Sequence, residues 1–273
     1  MTFCKLIQHD LRCGILRGKY LLTAFVTSIP LIQYFRQLHL YGISGTLGDC
    51  LLYLFRGEQA ISFLSYGNHK IEVPVLWIWL IATCPALHID YFLGDMSSNG
   101  QQIITRCQSR KHWMLSKCLW AMAGGFLYDL IIIVCAVAGC ILMKQEIVFS
   151  MTPSVAEVLL EMGIVPSGQV VFTAILKPFI ALISINLLQI MLQLCINPIA
   201  AFLICFAALL FSLYSPLQWL PCTGAIALRN ICLPIAEAKS WIPIIGGLAT
   251  QIICVILALW RFSGMDLLRR EDN

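Results

Sequence analysis

The sequence predicts an all-α, polytopic membrane protein, with six transmembrane helices behind an N-terminal amphipathic interfacial helix, as a single transmembrane domain over residues 1–273. Three observations lead there. Hydrophobic residues make up 59% of the chain and charged ones 12%, with a mean hydropathy of +0.84, whereas a soluble domain has about 45–50% and about 25%. So few charges cannot cover a water-facing surface for 273 residues. Six apolar stretches reach the ~20 residues that cross a ~30 Å hydrocarbon core as helix. The basic residues, finally, sort to one side of those stretches.

In chain order, residues 1–19 come first. Phe3, Ile7, Leu11 and Ile15 recur at four-residue steps while Lys5, His9 and Arg12 occupy the other side, which predicts an amphipathic helix on the cytoplasmic membrane surface. No short apolar stretch with a small-residue cleavage site opens the chain, so this segment is expected to be retained. The spans are expected at about 20–38, 73–93, 118–143, 169–194, 196–214 and 241–260. A turn at Asn197-Pro198 divides the fourth from the fifth. The stretch His39 to Glu72 is too short for a core of its own. Its Leu51, Leu52, Leu54 and Phe55 beside Arg56 and Glu58 suit helices in or on the outer interface. Pro216, Trp219, Pro221, Pro234 and Pro243 mark a short broken or re-entrant element before the last span.

Orientation follows from Lys and Arg near the span ends. With the N-terminus inside, Lys5, Arg12, Arg17, Lys19, then Arg106, Arg110, Lys111, Lys117, then Arg261, Arg269 and Arg270 are cytoplasmic. Arg56, Lys70, Lys144, Arg229 and Lys239 are outside, and the outer loop from Lys144 to Gly168 also carries Glu146, Glu157 and Glu161. The expectation is a multi-pass protein of the cell membrane with both termini cytoplasmic, surrounded by lipid and with no nucleic-acid partner.

Motifs for chemistry are largely absent from the spelling. Of the 13 cysteines, Cys84, Cys118, Cys135, Cys140, Cys195, Cys205 and Cys254 lie in apolar runs, no CxxC pair occurs, and no His pair has ligand spacing. They read as packing residues, with no metal and no cofactor expected. The nearest approach to a phosphate-binding loop, Gly14-Ile-Leu-Arg-Gly18-Lys19-Tyr20, is one residue short and places Tyr20 where Mg²⁺ needs Ser or Thr. No GxSxG turn or HExxH helix is present, so no catalytic residue is assigned. His88 and Asp90 lie near the cytoplasmic end of span two, where polar groups snorkel to headgroups; a membrane-embedded enzyme would have to use them.

Intramembrane polar residues need partners. Asp129 lies near the middle of span three and Lys177 about two turns into span four, and an Asp129–Lys177 pair is expected, as structural glue or as part of a translocation path. Asn186, Gln189 and Gln193 share one face of span four and could line a path or bind a neighbouring helix. A proton-coupled secondary transporter built on Asp90, Asp129 and Lys177 is the competing reading, although the halves show none of the internal repeats such folds carry.

The loop at 94–117 reads Asp95-Met-Ser-Ser-Asn-Gly100-Gln-Gln-Ile103-Ile104-Thr-Arg106-Cys-Gln-Ser109-Arg110-Lys-His-Trp113-Met-Leu-Ser-Lys117. By composition it is a positive-inside anchor with an interfacial Trp. In order it resembles the loop between the second and third spans of permease subunits of type-2 ABC exporters. There an acidic residue and a Gly precede an Ile/Leu-rich run, then Arg, Ser-Arg, Trp and a Lys entering the next span. The opening Asp10-Leu11-Arg12, the six-span count and the end Arg261-Phe-Ser-Gly-Met-Asp266-Leu-Leu resemble the same family. The resemblance implies an exporter of peptides, lipids or other amphiphiles. It also implies a separate ATP-binding cassette subunit, and a second permease copy in a homodimer or related heterodimer. It assigns Gly100, Ile103, Ile104, Arg106 and Arg110 to a coupling helix that docks on the ATPase, so that the chain is itself no enzyme. Arg36, near the outer end of span one, and the length of the next outer segment are not explained by the family pattern.

Overall fold

Each of the six expected spans contains a helix in the computed structural model, which describes residues 3–15, 18–58, 73–89, 94, 109–232 and 241–265. In chain order these are α2 (Leu21–Tyr41), α4 (Val75–Ala86), α5 (Arg110–Leu142), α6 (Ser167–Gln193), α7 (Pro198–Tyr214) and α9 (Ile242–Ser263). Three of them, α5, α6 and α9, are long and apolar enough to cross a membrane. Helix α4 has 12 residues and α7 has 17, while the 21-residue α2 carries Gln33, Arg36, Gln37 and His39 in its second half. The shorter helices include α1 (Phe3–Ile15), α3 (Leu47–Leu54) and α8 (Ala227–Cys232), with single helical turns at Pro153–Val155, Ala156–Leu160 and Thr223–Ala225. No strand occurs among the described residues.

Local chemistry sets the boundaries. Helix α2 stops at Gly42, whose φ of 65° is left-handed and lets its N–H reach the His39 carbonyl while Ile43 N–H reaches Leu38. Ser109 caps α5, and Asn197 caps α7 with Pro198 behind it, its side chain accepting from Ala200 N–H at 2.7 Å. Within α6 the turn Phe172–Leu176 is a π-helix. Pro178 two residues on has no N–H for the Ala174 carbonyl and its ring crowds that turn, which widens.

Helix α6 is the hub, packed by α5, α9, α7 and α4. Of its apolar stretch 72% is buried within the protein, against 33% for α5 and α9, so α6 is central and the other two are peripheral. Their outer faces expose Phe126, Leu130, Val134, Ile245, Ile252, Ile256 and Trp260. This apolar coat, the reverse of a soluble surface, marks a membrane-associated protein.

Helix α3 departs from expectation. The sequence suits an interfacial helix, but Leu47, Asp49, Cys50, Leu51, Leu52 and Phe55 are all buried within the protein. Thr46 and Asp49 form a capping box at its start. The segment 145–150 lies alongside, with Leu47 N–H on the Glu146 carbonyl and Gly48 N–H on that of Val148. A side chain at Gly48 would run into the Ser150 carbonyl. The proline-punctuated stretch before α9 holds short helices at Thr223–Ala225 and Ala227–Cys232, and Ala227 N–H donates to the Phe55 carbonyl at 2.7 Å. These pieces close one end of the bundle, the α3 end.

Candidate functional site

At the opposite end, α1 packs on α5. The face of α1 turned inward carries Leu6, Asp10 and Gly14, while the expected apolar row of Phe3, Ile7 and Leu11 is only half-buried. Asp10 Oδ1 lies 2.6 Å from Lys117 Nζ, and Ser116 Oγ donates to Asp10 Oδ2 at 2.5 Å. His9 Nδ1 is 3.6 Å from the same carboxylate. Lys117 therefore is no headgroup-facing basic residue: both partners are sealed from solvent, and the pair is retained because carboxylate and ammonium meet with further polar contacts. Trp113, expected at the interface, is fully buried and stacks on Phe262 of α9 at 4.9 Å, with Lys117 Nζ 5.0 Å from its ring centroid.

Above this pair sits His88, which is fully buried rather than snorkelling. Its Nδ1 is 2.8 Å from the Cys84 carbonyl, which makes Nδ1 the protonated nitrogen and leaves Nε2 to accept from Tyr20 Oη at 3.3 Å. The ring packs on Trp120 at 4.8 Å. Gly124 of α5 faces this node, since any Cβ there would collide with both the His88 ring and the Tyr20 hydroxyl.

The polar stripe of α6 faces other helices. Asn186 accepts from Cys84 Sγ and donates to the Ala121 carbonyl, both at 3.4 Å, and so ties α4 to α5. Gln193 donates to the carbonyls of His88 and Ile89 at 3.5 and 3.4 Å. Gln189 lies between them, fully buried, with neither amide atom hydrogen-bonded.

The expected Asp129–Lys177 pair does not form. Lys177 Nζ lies 5.3 Å from the Phe172 ring centroid on its own helix. The π-turn between those residues holds an extra residue per turn and so re-aims the side chains beyond it. Asp129, 3% exposed, has an Oδ1 with no hydrogen-bond partner. It lines a cavity of about 500 Å³ between α5 and the first turns of α6, with Phe126, Phe172, Ile175, Leu176 and Phe179.

At the α3 end, Asp49 Oδ2 accepts from Thr46 N–H and hydroxyl at 3.0 and 3.1 Å, and Oδ1 accepts from Thr152 N–H at 3.0 Å. Burial raises its carboxyl above the ordinary range, and these hydrogen bonds pull the other way. Arg56 pairs with Glu161 at 2.8 Å. Arg229 donates to the carbonyls of Ser212, Leu213 and Ser215, which are the open end of α7. Burial lowers its guanidinium to about 10, with the Glu58 carboxylate opposing, so it stays cationic at neutral pH.

Of the docking residues expected from sequence, Gly100, Ile103, Ile104 and Arg106 lie outside the described residues, as do Asp90 and Asp95. Arg110 starts α5 and donates to the Met265 carbonyl at 2.7 Å, beyond the end of α9. Residues 49–268 match one family model, described as a protein of unknown function (DUF2705). The chain belongs to DUF2705. No curated protein and no solved structure matches it. The DUF2705 match covers Lys117, Asp129, the α6 stripe and most of the α3 end, while Asp10 precedes it. Sequence reasoning missed Asp10 as the partner of Lys117, and Ser116 as a second donor to the Asp10 carboxylate. The available signals were Asp10 one turn after Leu6 and one before Gly14, and Lys117 directly ahead of the apolar run from Cys118.

Proposed function

We propose that this DUF2705 protein is the membrane-spanning permease subunit of an ATP-driven exporter of the type-2 ABC class. It acts beside a second permease copy and a separate ATP-binding subunit that docks at the loop preceding α5. In this reading α2, α4, α5, α6, α7 and α9 are six spans, both termini are cytoplasmic, and α1 lies on the inner surface of the cell membrane.

The observation that carries it is the junction where the buried Asp10–Lys117 pair locks α1 onto the first turns of α5 and Arg110 ties the same turns to the chain beyond α9. Any force applied to the preceding loop enters a braced platform. Rigid-body movement of that platform is how a docked ATPase would act on the spans. Cargo of amphiphilic kind suits a bundle whose long helices α5 and α9 turn apolar faces outward.

Purification of the tagged chain from its native host in mild detergent is expected to bring down a P-loop-containing polypeptide and ATP hydrolysis. A chain that purifies alone, with no ATPase in several detergents, would overturn the reading. Replacing Ile103 and Ile104 by Ser, with the basic residues kept, should preserve insertion and weaken ATPase association, since apolar anchors dominate such contacts. The unpartnered Asp129 carboxylate favours a second reading, proton-coupled secondary transport, which requires flux driven by a pH gradient without ATP.

A further inference from the structure

The cavity between α5 and α6 has an unusual lining. Three phenylalanine rings, Phe126, Phe172 and Phe179, surround a space of about 500 Å³ into which a single charged side chain, Asp129, contributes. Its Oδ1 is buried and without a hydrogen-bond partner. The other charged groups of α5, Arg110, Lys111 and Lys117, are at least 12 residues away, or ~18 Å along the helix. The one charged group of α6, Lys177, is directed at Phe172 and does not line the space. Part of the wall is the π-turn Phe172–Leu176, a distortion that concentrates at functional sites. Phe126, Leu130 and Leu176 are exposed on the outer face of the bundle, so the mouth opens sideways onto the apolar coat.

A carboxylate among aromatic faces is the chemistry that recognises a poorly hydrated cation: the ring quadrupoles attract it and the apolar walls take its substituents. The contact of Lys177 with Phe172 already shows one of these rings accepting a cation. We propose that this cavity binds a lipophilic monovalent cation, an ammonium or phosphonium carrying apolar groups. Asp129 supplies the counter-charge and Phe126, Phe172 and Phe179 the aromatic faces. Asp129 lies near the middle of the apolar part of α5, about 20 Å from Leu142. The cavity runs from there to Gly168 in the first turn of α6, so a cation that partitions into hydrocarbon reaches Asp129 from the side. As the cargo class of the exporter this rests on the reading above; as a binding site it stands apart from it.

The test uses the purified full chain in phosphatidylcholine nanodiscs, with no ATPase present, and radiolabelled tetraphenylphosphonium as the probe. Saturable binding is expected, weakened roughly tenfold or more by Asp129→Asn, largely kept by Asp129→Glu, and weakened a few-fold by Phe172→Leu. Equal binding by wild type and Asp129→Asn, or equal competition by neutral triphenylphosphine oxide, would overturn the proposal. So would a benzophenone side chain in place of Leu130 that crosslinks two copies of the chain, since the cavity would then be a subunit contact. Because no partner enters the assay, its failure leaves the exporter reading standing. The absence of a P-loop partner, equally, leaves the binding result standing.

Discussion

Lys117 and Lys177 are equally sealed from solvent, but they are held in opposite ways. Lys117 has a carboxylate at 2.6 Å, with Ser116 on the carboxylate's other oxygen. Lys177 has the face of Phe172, while the acid expected to meet it, Asp129, keeps an oxygen without a hydrogen-bond partner. A paired, hydrogen-bonded ion is a structural joint. An unpaired one inside an apolar bundle costs stability and persists where something else meets it.

The largest effect that would break this comparison is at the joint. Lys117→Met leaves Asp10 buried without its ammonium partner, and is expected to cost about 3–5 kcal/mol, with Asp10→Leu beside it recovering most of the loss. Unfolding in mixed micelles, followed through Trp113 and Trp120, measures both. Asp49→Ala comes next: it strands the N–H groups of Thr46 and Thr152 at the α3 end and is expected to cost about 2–3 kcal/mol in the same assay. Asp129→Asn should be the contrast, within about 1 kcal/mol of wild type or above it, because it removes a charge that had no partner ion. A loss as large as that of Lys117→Met would show that Asp129 is a joint as well.

The smallest effect is in pH. The native state raises the Asp49 carboxyl and so holds its proton more tightly than the unfolded chain does. This contribution grows as pH falls through the raised native value, and levels off near the unfolded value of about 3.9. The difference in stability between wild type and Asp49→Asn, measured from neutral pH downward, is expected to shift in favour of wild type.

The helices were legible because a run of apolar residues needs no partner to declare itself, and Asn197-Pro198 announces its turn by lacking an N–H. The neighbours of those helices were not. Hydropathy says that Lys117 and Lys177 stand in apolar surroundings, but not which helix faces them. The pair that forms joins residues 107 positions apart, while the pair expected from sequential spans does not. Trp113 shows the same limit: its position beside basic residues fits an interface, and only packing against Phe262 places it inside. Asn186, Gln189 and Gln193 share a face by spacing alone, but the groups that Asn186 and Gln193 bond belong to α4, to the two residues His88 and Ile89 after it, and to α5. The π-turn was foreshadowed by Pro178, though not its consequence for Lys177. The docking residues rest on resemblance alone.

Helix α5 has 33 residues, which makes a rod ~50 Å long at 1.5 Å per residue, against a hydrocarbon core of ~30 Å. It is gripped at one end by Asp10 and Met265 and near the other by α3, and it meets α6 closely at Gly125, beside Asn186. Mechanically this is a lever with its fulcrum near mid-length. Tilting it by ~5° about that point swings each tip ~2 Å in opposite directions, given that length. Asp129 lies one helical turn from the fulcrum, where translation is least and the change of angle is felt in full.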